Sequence, residues 1–347
     1  MGEEKKMRFI VDIPSDIVDS IDQLIREGRY RSVQDFLYAA VQNQLYGLEG
    51  TQLALTEGKG FETKPPSTVR QAALDAKGQT WQHLIASGFE KVTTVEPPKP
   101  DQVNNVLFGQ FNRFFPVKIT TRVLANLVNG GGSSVPLVTL QENASSVARE
   151  LGKSLVKKER DLGRTRSDMI ATALPTKRDE SKAKARFESQ FVGFLSNRRI
   201  EGAPATLRFV NIFKDGNGRV MAGLTSAGLK FASLANPVID GGDLKSPLSG
   251  EEQRFLVGHI ATELPQEMNL MRYILEAINS KADNPGLLQE RLKQLKPELN
   301  PSELTTMRCG LLSRMAELNL IRRIKNGLSA NYRTTYDSEQ LLSRGLP

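Results

Sequence analysis

The chain is poor in the residues that build cross-links and metal cages. Its 347 residues include one cysteine, Cys309, and two histidines, His83 and His259, far apart in sequence. A lone cysteine closes no intrachain disulfide, and this supply of thiol and imidazole matches no zinc-ligand spacing. The expectation is a reducing compartment, with no metal and no cofactor. No run approaches the roughly 20 consecutive apolar residues that cross a bilayer, and the charged residues 1–6 have no apolar stretch behind them. Neither secretion nor membrane insertion is expected. Catalytic signatures are missing too: there is no paired-histidine motif, no Gly-x-Ser-x-Gly elbow and no dinucleotide fingerprint. Gly130-Gly131-Gly132 lacks the Gly-Lys-Ser/Thr ending of a phosphate loop and reads as a helix end and loop. Glu150, Glu159 and Asp161 come nearest to a nuclease carboxylate set. Among so many basic neighbours they read more simply as salt-bridge partners, and no enzymatic role is expected.

What is present is the composition of a folded protein, 39% hydrophobic and 25% charged, at a length that suggests two or three domains. The formal charge of +8 favours a polyanionic partner. Its distribution is uneven: residues 149–208 carry 15 basic against 8 acidic side chains, whereas residues 1–46 carry 6 against 8. The polar run 153–186 reads either as a phosphate-contacting stripe or as an ordinary solvated helix face.

Residues 6–14 form one short strand ended by Pro14, which has no N–H for a following ladder. Period-two alternation puts Met7, Phe9, Val11 and Ile13 on a core face and Lys6, Arg8, Ile10 and Asp12 on the other. Ser15 caps a helix whose apolar stripe is Ile17, Val18, Ile21, Leu24 and Ile25, and Gly28 ends it. After a turn at residues 29–31, Ser32 and Asp35 open a second helix with Val33, Phe36, Leu37, Ala40, Val41 and Leu45 inside. A strand and two helices in about 45 residues cannot bury their apolar faces alone, which points to an intertwined dimer. This order, with its Arg31-Ser32 junction, resembles the ribbon-helix-helix family of Arc- and MetJ-type repressors, whose paired strands enter the major groove. The resemblance implies that Lys6, Arg8, Ile10 and Asp12 face base edges: Arg8 toward guanine, Ile10 toward a thymine methyl, Asp12 toward cytosine N4. It also implies that the helix start at Arg31, Ser32 and Val33 holds a phosphate.

Residues 48–105 gather prolines and glycines and read as a flexible linker holding at most one helix, docked locally by Trp81 and Phe89. Residues 106–240 read as a basic domain. A helix through Ile119, Val123, Leu124 and Leu127 is followed by one over 140–158, a hairpin over 207–224 turning at Lys214-Asp215-Gly216-Asn217-Gly218, and a helix over 225–234. Asp240-Gly241-Gly242 marks the next boundary. In residues 241–347 helices begin near Ser249, Met268 and Leu287. A fourth starts at Pro301-Ser302-Glu303, with Leu304, Leu311, Leu312, Met315 and Leu318 inside and Thr305, Thr306, Arg308, Ser313 and Arg314 outward. A hairpin with its turn at Lys325-Asn326-Gly327 follows at once.

Helices followed by a hairpin resemble the winged-helix family, loosely in 106–240 and more closely in 241–347. In the latter the resemblance implies that Thr305, Arg308 and Arg314 enter a groove while Arg322, Arg323, Lys325 and Arg333 hold phosphates. The fold class expected is therefore mainly α with short β elements: a dimeric ribbon-helix-helix followed by one or two winged-helix-like domains. The function expected is sequence-specific binding of double-stranded DNA by a homodimer, as a transcriptional regulator in the cytoplasm, at the nucleoid. Two alternatives stand beside it. One is a DNA-binding adaptor in plasmid partition or host defence that recruits other proteins through its C-terminal region; the other is an interaction scaffold or antitoxin-like protein whose winged helices bind protein.

Overall fold

A computed structural model describes residues 81–89, 91–165, 168–176, 180–326 and 329–343, together with Val18, Asp19, Asp22, Arg26 and Val33. The chain divides into two units, Met1–Leu74 and Asp75–Pro347. In the first, the five described residues are helical, and Val18 and Val33 are 39% and 40% exposed. The strand expected over residues 6–14 lies outside the described residues.

The described part of the second unit is mainly helical with a few short antiparallel strands. Its centre is α1 (Phe115–Val128), of whose 14 residues 12 are buried. A helix packed on nearly every side has almost no solvent face, so its two cations, Lys118 and Arg122, also lie inside. β1 (Ser134–Pro136) leads into the 25-residue α2 (Leu137–Asp161). Next come α3 (Glu180–Phe187), a π-helical turn (Glu188–Val192), a small hairpin of β2 (Phe194–Ser196) and β3 (Arg199–Glu201), and the buried single turn α4 (Ala203–Thr206). β4 (Val210–Lys214) and β5 (Val220–Leu224) form the expected hairpin. β1 pairs with β5, giving the antiparallel order β1-β5-β4, with Ser134 opposite Gly223 and Val210 opposite Leu224. Thr225 then caps α5 (Ser226–Ser233) by accepting the Gly228 N–H.

After α6 (Pro237–Gly241), four helices follow: α7 (Gly250–Glu263), α8 (Pro265–Asn279), α9 (Pro285–Leu295) and α10 (Pro301–Glu317). The C-terminal hairpin is β6 (Ile321–Asn326) with β7 (Ser329–Thr334), and α11 (Tyr336–Ser343) comes last. The helix starts follow their caps: Ser249 and Glu252 form a capping box, as do Asn300 and Glu303. Among the described residues no helix is long and apolar enough to cross a membrane.

Two expectations need correction. The segment read as a flexible linker is packed over the part that is described: Ile85 and Val103 are buried, Trp81 and Phe89 lean on the core, and the Val95 N–H donates to the Leu224 carbonyl at 2.8 Å. Prolines there set an extended path across the surface of the core rather than a free tether. The boundary at Asp240-Gly241-Gly242 is crossed by a buried ion pair, Lys118 with Glu252 at 2.8 Å. At its edge Arg122 holds the partly exposed Asp240 with two bonds of 2.8 and 2.7 Å. One hydrophobic core runs from Ile85 to Ile321.

Buried charges are costly to desolvate, and the Lys118–Glu252 pair is accordingly saturated, whereas Arg122 Nε is buried without a hydrogen-bond partner among the described residues. Glu252 also accepts from Asn236 and from the Ser249 N–H, while Lys118 donates to the Phe231 and Leu234 carbonyls at 2.6 Å. Burial pulls the Lys118 ammonium down to about 8 against the opposing pull of Glu252. Nearby, Phe209, Phe231, Phe255 and His259 stack together, with ring centroids 4.7 to 6.0 Å apart between neighbours.

Candidate nucleic-acid interface

The C-terminal helices and hairpin hold most of the side chains expected to meet a polyanion. α10 begins at Asn300, whose side chain accepts the Ser302 and Glu303 N–H groups at 3.0 Å while Glu303 accepts the Asn300 N–H at 2.9 Å. Leu304, Leu311, Leu312, Met315 and Leu318 are buried, as the helical period requires. The tight turn after α10 is made by Asn319 in a left-handed conformation (φ 57°), which feeds directly into β6.

Arg314 is not outward. It is 1% exposed, and all five of its guanidinium N–H donors are used. Nε and Nη2 donate to Glu267 Oε1 at 3.0 and 2.6 Å; the rest go to the carbonyls of Leu107, Phe108 and Phe111. The reason is a long-range contact that helical periodicity does not reveal: residues 107–115 lie across α10. A Cβ at Gly310 would sit 2.3 Å from the Gly109 carbonyl oxygen, and one at Gly109 would sit 2.1 Å from that of Thr306, so two glycines permit backbone to touch backbone. Glu317, buried and pushed up by that burial, accepts the Phe114 and Phe115 N–H groups at the start of α1.

Arg308 and Thr305 are also committed internally. Arg308 donates to the Pro285 carbonyl at 2.9 Å and to Gln289, and Thr305 Oγ1 bonds the Pro301 carbonyl at 2.8 Å and Gln289 at 3.1 Å. What α10 leaves exposed is Pro301, Ser302, Glu303, Thr306, Cys309 and Ala316. Of the helix residues expected to enter a groove, Arg314 is excluded by burial, while Arg308 and Thr305 hold α9 and α10 together.

The hairpin differs. Its register sets Arg322 opposite Arg333 and Arg323 opposite Tyr332. Cross-strand partners share a face, so Ile321, Arg323, Ala330 and Tyr332 lie on the core side, where Arg323 is nonetheless exposed, and Arg322 with Arg333 turn to the opposite, solvent side. Arg322, Arg323 and Arg333 are exposed, and none has a carboxylate partner among the described residues. Like charges directly opposite on a hairpin are destabilising. The hairpin is nonetheless fixed at its base: the Tyr332 N–H donates to the Asp283 carbonyl at 2.8 Å, tying β7 to the connection between α8 and α9. Burial raises the Tyr332 hydroxyl above the ordinary phenol range. Lys325 lies on β6 opposite Ala330; its side chain is outside the described residues.

Elsewhere, Lys6, Arg8, Ile10, Asp12, Arg31 and Ser32 are outside the described residues, and Val33 is helical. Glu159 is a buried structural carboxylate that accepts the Ile170 and Ala171 N–H groups and Arg164 at 2.7 to 3.0 Å, and Glu150 pairs with Lys153. Among the described residues no group of three or more His, Cys, Asp or Glu is placed to hold a metal ion. One basic feature had no expectation attached: the β2–β3 hairpin, which ends in Asn197-Arg198-Arg199. Asn before Arg between two short runs is its only signal in sequence. No family model, curated protein or solved structure matches the chain.

Proposed function

We propose that the protein is a dimeric, sequence-specific DNA-binding protein, a transcriptional regulator that divides its work between two ends. The N-terminal ribbon reads bases through Lys6, Arg8, Ile10 and Asp12. The C-terminal hairpin acts as a wing that holds phosphates through Arg322, Arg323 and Arg333. The observation that carries this reading is the Arg322–Arg333 pair, two guanidinium groups opposed on a solvent face with no neutralising carboxylate among the described residues. A phosphodiester backbone supplies the missing anion.

Element order supports the winged-helix-like assignment. α8, α9, α10 and the β6–β7 hairpin follow the order of helices and wing, with Asp283 bridging to β7 where a first strand would pair. In the preceding region a strand after the first helix, β1, pairs with the later hairpin in the order β1-β5-β4, which supports a winged-helix-like reading there as well. Val18 and Val33, apolar side chains that a single chain leaves exposed, are consistent with burial by a second copy.

A second reading is favoured by the internal commitment of Arg308 and Arg314. A module whose helix offers no cation contributes affinity rather than sequence, and suits an adaptor in plasmid partition or host defence that grips DNA and recruits proteins. The test is selection of the full chain on a randomised duplex pool, followed by salt titrations of the wild type, R8A and the R322A/R333A pair. The expected result is an enriched palindromic or repeated site, lost with R8A, and a roughly tenfold uniform weakening with R322A/R333A as the salt slope falls by about two. Binding without enrichment and untouched by R8A selects the adaptor reading; an R322A/R333A protein that binds as the wild type removes the wing.

A further inference from the structure

The β2–β3 hairpin is closed by a two-residue loop, Asn197-Arg198, between Ser196 and Arg199, which face each other across the strands. Both loop residues have positive φ, 46° and 67°, the requirement of a type I′ turn. Asn tolerates that conformation. Arg does not favour it, and the second position of such turns is where glycine is cheapest. The strain sits at an exposed tip, and Arg198 has no hydrogen-bond or ion-pair partner among the described residues.

The base of the hairpin is held rigidly. Gly193 and Gly202 flank it at φ 114° and 121°, packed so closely that a Cβ on Gly202 would lie 2.7 Å from the Gly193 Cα. Ile200 is buried. Arg199 is tethered to Asn104 at 3.2 Å, and Asn104 in turn bonds Glu201 at 3.1 Å. Of the two tip arginines, then, one braces the hairpin and the other is exposed on a fixed platform with its charge unpaired among the described residues. A strained backbone position that stability alone would give to glycine is a reason to ask what the side chain does.

We propose that Arg198 is a phosphate contact to double-stranded DNA, a further anchoring point separate from the C-terminal wing. The proposal rests on the DNA-binding reading above. It predicts opposite signs for stability and binding at one residue. In the full-length protein, R198G relieves the left-handed strain and raises Tm by about 1–3 °C. It also weakens binding to a short mixed-sequence duplex roughly three- to fivefold near 0.1 M salt, equally for all sequences, and lowers the salt slope by about one. R198N, which removes the charge but keeps a side chain suited to positive φ, gives the same loss of binding with Tm unchanged or higher. Wild-type binding that neither variant weakens overturns the Arg198 contact and leaves the DNA-binding reading standing. A wild-type protein that binds no duplex at any salt overturns that reading and the contact with it.

Discussion

Residues 115–224 and residues 265–334 both begin with a helix and end in an antiparallel hairpin, yet they treat their charges in opposite ways. In the first region the cations of α1 are turned inward onto Glu252 and Asp240, and the hairpin tip neutralises itself, with Asp215 pairing Arg219 and accepting the Asn217 and Arg219 N–H groups. The element before its hairpin is α4, a single buried turn that presents nothing. In the second region the preceding element is the 17-residue α10, and the hairpin keeps Arg322, Arg323 and Arg333 exposed and unneutralised among the described residues. The contrast shows that basic residues near a hairpin are no guide to function until their partners are known. Arg314 and Arg322 lie eight positions apart in one helix-hairpin unit; the first is a structural bolt and the second is free to meet an anion.

The largest effect expected from testing this division is at Arg314. R314A leaves Glu267 buried without its partner and strands three carbonyls, which costs about 3–5 kcal/mol. Chemical denaturation should show that loss directly, and any loss of DNA binding should follow the loss of fold. An R314A protein as stable as the wild type but unable to bind DNA would make Arg314 a contact residue and erase the distinction between the two arginines. Next is Gly310, where the added methyl of G310A must push residues 107–111 off α10 and costs about 1–3 kcal/mol in the same measurement. Unchanged stability in G310A would show that the crossing at Gly109 is loose.

The longer helices and both larger hairpins were legible because local chemistry sets them, whereas α3, α4, α6 and α11 were not anticipated. Thr225, Ser249 and Asn300 are caps, Asp215-Gly216-Asn217-Gly218 is a turn, and the leucines of α10 recur at the helical period. The small β2–β3 hairpin was not legible: its strands are three residues each and its turn carries Arg where glycine would have announced it. The fates of Lys118, Arg122 and Arg314 were hidden for a different reason. Each is decided by a partner distant in sequence, and the partner segment of Arg314, residues 107–111, has no periodicity of its own. The apolar neighbours Phe114, Phe115, Val117 and Ile119 around Lys118 are the local hint of an inward charge in α1.

Smaller still is a pH effect that tests whether the two regions act as one body. His259 of α7 stacks on Phe209 and bonds the Leu207 carbonyl at 2.7 Å, so its ring joins residues on both sides of the Asp240 crossing. Burial lowers its pKa, against the opposing pull of the Leu207 carbonyl and of Glu263, while Arg208 adds to the lowering. The folded state therefore prefers neutral imidazole, and the unfolded chain takes up the proton first as pH falls through 6.5. Stability is lost below that pH, by at most about 1.4 kcal/mol per unit from this one group. Urea melts at pH 7 and pH 5 should show a fall that H259Q reduces. An equal fall in H259Q would place the acid sensitivity elsewhere.

The smallest stability change is the most discriminating for the hairpin itself. In R322E a carboxylate replaces one of two opposed guanidinium groups, so a like-charge cross-strand pair becomes an attractive one. Exposed pairs of this kind contribute about 0.2–1 kcal/mol, enough for a rise in Tm of about 1–3 °C. If the arginines serve only the fold, that rise comes with no other change. If the face holds phosphates, the same substitution removes one cation and introduces a repulsive anion, so duplex affinity falls more steeply than in R322A while the protein becomes more stable. Charge reversal at Asp215, in the hairpin whose tip already neutralises itself, should do the reverse: D215K disrupts the turn hydrogen bonds to Asn217 and Arg219 and lowers Tm. A gain in stability with a loss of binding at Arg322, set against a plain loss of stability at Asp215, would separate a surface kept charged for a partner from one balanced for the fold.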